Sequence, residues 1–90
     1  MTLEKRWQNF SSKEHLLHIA SELSRACHWE NINQDKFRQS LERILELIDL
    51  SLGDQKWQDN RYLLFILREE IAKFYIGEQN KSIKKIYDAI

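Results

Sequence analysis

The sequence contains no proline, only two glycines, Gly53 and Gly77, and one cysteine, Cys27. Each shortage excludes something. β-rich folds use Gly and Pro at many of their tight turns, so a chain this poor in both is steered towards helices. A lone cysteine has no partner in the chain for a disulfide, which suits a reducing compartment, so the expected location is cytoplasmic. No apolar run approaches the roughly eighteen residues needed to cross a bilayer, and residues 1–6 lack the apolar core of a signal peptide, so no membrane role is expected. An excess of one charge is missing too: fourteen basic residues face fourteen acidic ones. Nucleic-acid binders draw most of their affinity from phosphate contacts and usually carry a basic excess, so nucleic acid is not the expected partner. The absence of a Gly-rich phosphate loop and of a G-x-S-x-G elbow counts against nucleotide and serine-hydrolase chemistry.

What the chain does have is apolar residues at helical spacing. Its 90 residues bound one domain, 1–90, with room for a single core of three or four short helices and no deep substrate cavity. The densest periodic stretch is 40–52. Phe37, Leu41, Ile44, Leu45, Ile48 and Leu52 recur at steps of three and four and form one stripe, with Glu42, Glu46 and Asp49 on the other side. Such a helix cannot stand alone in water, so the other segments read as its packing partners. Ile44 and Ile48, mid-stripe, are expected to be almost fully buried.

Taken in order, Leu3, Trp7 and Phe10 mark a short amphipathic turn or arm within residues 2–10. Ser11 with Glu14 makes a capping box for a first long helix over about 12–29. Its stripe is Leu16, Ala20, Leu23 and Cys27, widened by Leu17, Ile19 and Ala26. Residues 30–33 form a turn, and Asn33 caps a second helix that ends near Leu52. Gly53 sits where a left-handed residue is wanted. Residues 54–60 connect to a third helix over about 61–76, capped by Asp59 or Asn60 and ended by Gly77. Leu63, Leu64, Leu67, Ile71, Phe74 and Tyr75 fill one face of it. Tyr62, Phe65, Ala72 and Ile76 lie on another, and Ile66 is on neither. A short fourth helix covers residues 82–90, with Ile83, Ile86, Tyr87 and Ile90 on its apolar side and Lys81, Lys84 and Lys85 on its solvent side.

Few residues combine into chemistry. His15, His18 and Glu22 share the outer face of the first helix, but a zinc site needs further ligands and no second cluster supplies them. No metal and no cofactor is expected. Cys27 and His28 are neighbours, and neighbours on a helix point about 100° apart, so they make no thiol–imidazole pair. Glu42, Glu46 and Asp49 read as solubilising charges, and three lysines on the fourth helix as plain surface. Arg25 and Trp29, four apart, suggest either an interface or a Trp folded over the helix end.

The strings Ser21-Glu22-Leu23-Ser24-Arg25-Ala26…Trp29, Phe37…Ser40-Leu41-Glu42-Arg43-Ile44-Leu45-Glu46-Leu47-Ile48-Asp49-Leu50, Asp54-Gln55-Lys56 and Leu67-Arg68-Glu69-Glu70 resemble a family of small bacterial helical proteins. That resemblance carries no function over. At fold level the pattern is similar to HEPN domains, helical bundles that commonly dimerise, some of them ribonucleases and others partners of nucleotidyltransferases. The ribonuclease members carry an Arg and a His at a longer spacing than Arg25 and His28, and no Arg–His pair here has it. The resemblance therefore implies the bundle and the pairing rather than the nuclease.

The expectation is thus an all-α antiparallel bundle of three main helices plus a short C-terminal helix. Its expected role is a non-enzymatic, self-associating or partner-binding interaction module. The alternative is an HEPN-like RNA-binding or RNA-processing protein with an atypical site built on Arg25 and His28. The expected partner is a second copy or another protein. The expected interface is Tyr62, Phe65, Ile76, Trp7 and Trp29, with Trp7 and Trp57 as candidates for its rim. The competing expectation is that Ile83, Ile86 and Ile90 cover this face within one chain.

Overall fold

The computed structural model describes residues 3–78 and 81–90. The chain is an all-α bundle: α1 (Leu3–Gln8), α2 (Ser12–Trp29), α3 (Gln34–Leu52), a 3-10 turn (Gln55–Trp57), α4 (Arg61–Tyr75) and α5 (Lys84–Ala89). α3 is the element the others share: α1, α2, the 3-10 turn and α4 all pack on it, while α5 packs on α2. The N-terminal arm is thus a helix of its own; the side chain of Leu3 lies outside the described residues.

The helix ends follow local sequence chemistry. Ser11 and Glu14 form the expected capping box, side chain to backbone in both directions at 3.1 Å. Asn33 Oδ1 accepts from the Lys36 N–H at 3.1 Å and starts α3. α4 begins at Asn60 without any side-chain cap. Its other end closes as expected. Gly77 takes φ +79°, a conformation that costs a glycine nothing. The Glu78 N–H reaches the Lys73 carbonyl at 2.9 Å, and the Gly77 N–H reaches that of Phe74 at 3.2 Å. This is the Schellman arrangement, which satisfies two carbonyls the helix would otherwise leave open. Gly53 differs from its expectation: its φ is −80°, ordinary right-handed backbone.

The core is built on α3. Phe37, Ser40, Leu41, Ile44, Leu47, Ile48 and Ser51 are its buried side, and Ile44 and Ile48 are fully enclosed as expected. The stripe therefore includes Leu47 and two serines, while Leu45 and Leu52 are only partly covered. Ser40 and Ser51 enter the core because each hydroxyl donates to the carbonyl four residues back, Lys36 at 3.1 Å and Leu47 at 2.9 Å. α2 is turned by about one residue from the expected wheel. Its buried line is His15, Ile19, Leu23 and Ala26; Leu16, Ala20 and Cys27 are half-buried and Leu17 is exposed.

His15 is the reason for that turn. It was expected on the outer face, yet it has no exposed surface. Its Nε2–H donates to the Trp7 carbonyl at 2.7 Å, and its Nδ1 accepts from the Trp57 indole N–H at 2.9 Å. Those partners fix the neutral tautomer with the proton on Nε2. The Trp7 ring stacks on the imidazole at 4.2 Å, and its own N–H donates to Ser51 Oγ at 2.9 Å. Beside this ring, Asp54 accepts from the backbone and ammonium of Lys56 at 2.9 and 2.8 Å, and the same ammonium donates to the Gln8 carbonyl at 2.6 Å. Burial would push the Asp54 carboxyl up, but the hydrogen bonds and charge of Lys56 outweigh it and hold the carboxyl below its ordinary range. Burial likewise pushes the His15 imidazole down; the Trp7 carbonyl and Asp54 oppose this, and Lys56 and His18 add to it. Among the described residues no buried side-chain nitrogen or oxygen lacks a partner.

Two outcomes test this core. Ile48→Ala empties the centre of the shared helix and should cost about 2–5 kcal/mol, read as a lower denaturant midpoint. An unchanged midpoint would displace Ile48 from the core. Second, because the folded His15 binds its proton less readily than the unfolded chain, protons favour unfolding as pH falls. Stability should be level above about pH 6.5, the ordinary imidazole value, and decline below it. His15→Gln, which keeps one donor and one acceptor, should flatten the decline between about pH 6.5 and 5, measured by denaturation across that window.

Candidate functional site

α4 packs chiefly on α3. A helix held on one side keeps its other side free, and here that free side is apolar. Leu64, Ile71 and Phe74 point into the core. Tyr62, Phe65, Ile66 and Ile76 point away, at 60%, 57%, 58% and 63% exposure. At 100° per residue these four fall within one outward stripe, with Glu69 among them. Two cross-links fix the angle of α4 on α3: Arg68 to Asp49 at 2.7 Å, and the Tyr75 hydroxyl to Glu42 at 2.9 Å.

The apolar surface continues round the helix. Leu63 and Ile66, with Leu67, form one wall of a groove of about 390 Å³, whose other walls are Leu16 of α2 and Ile86 and Ile90 at the C-terminus. Lys85 and the Lys81–Glu70 ion pair, at 3.2 Å, also line it. α5 itself is anchored from α2: the Glu30 carboxylate accepts from the Ser82 hydroxyl at 2.7 Å and from the Ile83 N–H at 3.0 Å. Ile83 and Ile86 are buried, but Tyr62, Phe65 and Ile76 remain in solvent, so α5 does not cover the outer face of α4.

The other expected interface residues are distributed differently. Trp7 and Trp57 are 3% and 4% exposed and belong to the His15 network, which removes both from the surface. Trp29 is half-buried against the core with the Lys36 ammonium 4.3 Å over its ring, so it folds across the α2–α3 turn. Sequence reasoning missed Leu63 and Ile66 as part of the exposed face. Their signal was an apolar run too continuous for a helix with a single buried side.

The candidate chemistry separates in space. His15 faces the core, while His18 lies on the surface beside Phe10, ring centres 4.9 Å apart, and Glu22 pairs with Arg25 at 3.5 Å. Among the described residues no three His, Cys, Asp or Glu side chains gather as a metal would require. Burial, then Glu30 and Asp88, push the Cys27 thiol up and away from the reactive thiolate. His28 packs edge-on against Trp29, and Arg25 extends into solvent. Among the described residues no helix is long and apolar enough to cross a membrane. Comparison of the chain with models of known protein families, with curated proteins and with solved structures finds no match.

Proposed function

We propose that the protein is a non-enzymatic helical interaction module that self-associates through the outer face of α4. The observation that carries this reading is the solvent exposure of Tyr62, Phe65, Ile66 and Ile76 on one side of a helix whose opposite side is core. Contiguous apolar patches of this kind usually mark interaction surfaces, because leaving them in water forgoes their burial. Fully burying a Phe side chain is worth about 1.5–3 kcal/mol, of which Phe65 has roughly half still to gain. A two-fold axis uses the same patch on both copies, so each side chain counts twice.

Sedimentation equilibrium at micromolar concentration tests the proposal. The wild type should be a dimer, and Phe65→Glu should be a monomer with unchanged helical circular dichroism, since Phe65 lies mostly in solvent. A monomeric wild type would refute self-association. A folded Phe65→Glu dimer would move the interface off α4.

A further inference from the structure

The charges that border the apolar stripe point to how the second copy sits, an inference that rests on the proposed self-association. Arg61 and Glu69 are both exposed, and among the described residues neither makes an ion pair. They flank Phe65 and Ile66 from opposite ends, about 5–7 Å along the helix axis from the midpoint of that pair. The part of the stripe from Tyr62 to Ile66 is thus bracketed by a positive side chain on one side and a negative one on the other, with Ile76 beyond Glu69.

We propose that two copies pair with their α4 helices antiparallel, the two-fold axis passing between Phe65 and Ile66, so that Arg61 of each copy meets Glu69 of the other. Phe65 then lies against Phe65 of the second copy and Ile66 against Ile66, Tyr62 faces Glu69, and the two charge pairs bracket this apolar centre. Lys73 is held within its own chain by Glu70 at 3.4 Å. Other arrangements lack this match. A parallel pair sets Arg61 against Arg61 and Glu69 against Glu69. An antiparallel pair centred on Glu69 brings two carboxylates together at the axis and sets Phe65 against Lys73. Like charges facing each other discriminate strongly against a wrong register, and one register alone of these three joins the apolar centre to opposite charges at both ends. A second copy is favoured over an unrelated partner because the Arg61–Glu69 stretch of the stripe is complementary to its own reversed image.

Charge exchange tests the register. Sedimentation equilibrium at low salt should show Arg61→Glu and Glu69→Arg each dimerising roughly tenfold more weakly than the wild type, since each puts two like-charged contacts into the interface. The double variant R61E/E69R should regain wild-type affinity, and an equimolar mixture of the two single variants should form a mixed dimer. Raising the salt should narrow all of these differences. Both side chains are exposed, so circular dichroism should be unchanged; if a reversal disturbs the helix, Arg61→Gln and Glu69→Gln should show the same weakening to a smaller degree. If the wild type is a monomer, self-association falls and the register with it. If the wild type dimerises but both single reversals leave it unaffected, or the double variant fails to recover, self-association stands and the antiparallel register is overturned.

Discussion

One helix has to serve as the common wall for nearly everything else. α3 is about 28 Å long at its ordinary rise, and α1, α2, the 3-10 turn and α4 all bury side chains against it. In so small a chain no second layer exists to enclose the outer elements. α2 gains additional cover from α5, whereas α4 has its main contact with α3 alone. The exposed apolar face of α4 follows from this economy: a helix at the edge of a three-helix arrangement has one side buried, and the residues on its other side are free to be selected for something else.

The polar cluster at the end of the bundle meets a different requirement. α1 is six residues long, too short to persist by its own hydrogen bonds. It is held by Trp7, whose ring stacks on His15 and whose N–H finds Ser51, and by the Lys56 ammonium on the Gln8 carbonyl. Burying an imidazole, a serine and an aspartate would be costly if any were left unpaired. Here each donor meets an acceptor, so the cluster joins residues from four separate segments while leaving no buried side-chain polar atom of the described residues orphaned. The arrangement also fixes which way α2 faces, because His15 must point at both tryptophans.

Much of this was legible in the sequence. The apolar period of 37–52 announced α3, the Ser11–Glu14 pair located the start of α2, and Gly77 marked the end of α4. The second apolar face of this helix, Tyr62, Phe65 and Ile76, anticipated more apolar surface than one core can use. What escaped were side chains whose placement depends on a distant partner. His15 looks like a surface residue until Trp7 and Trp57 supply a carbonyl and an N–H for its two nitrogens. The same two tryptophans look like interface residues until that imidazole takes them inward. Glu30 sits in a turn by its local pattern, yet it caps the segment that starts α5, fifty-three residues later. Periodicity encodes neighbours along one helix; it carries no information about hydrogen bonds between segments.

The placing of the tryptophans gives the molecule two separate optical probes. Trp7 and Trp57 both touch His15, one by stacking and one by donating to it. Trp29 is at the α2–α3 turn, under the Lys36 ammonium. Intrinsic fluorescence thus carries a signal from each end of α2, one set by an imidazole and one by a cation. Replacing Trp29 with Phe leaves emission that follows only the seam between α1, α2 and the 3-10 turn. The fraying of that seam can then be watched separately from the melting of the bundle, without any label being attached.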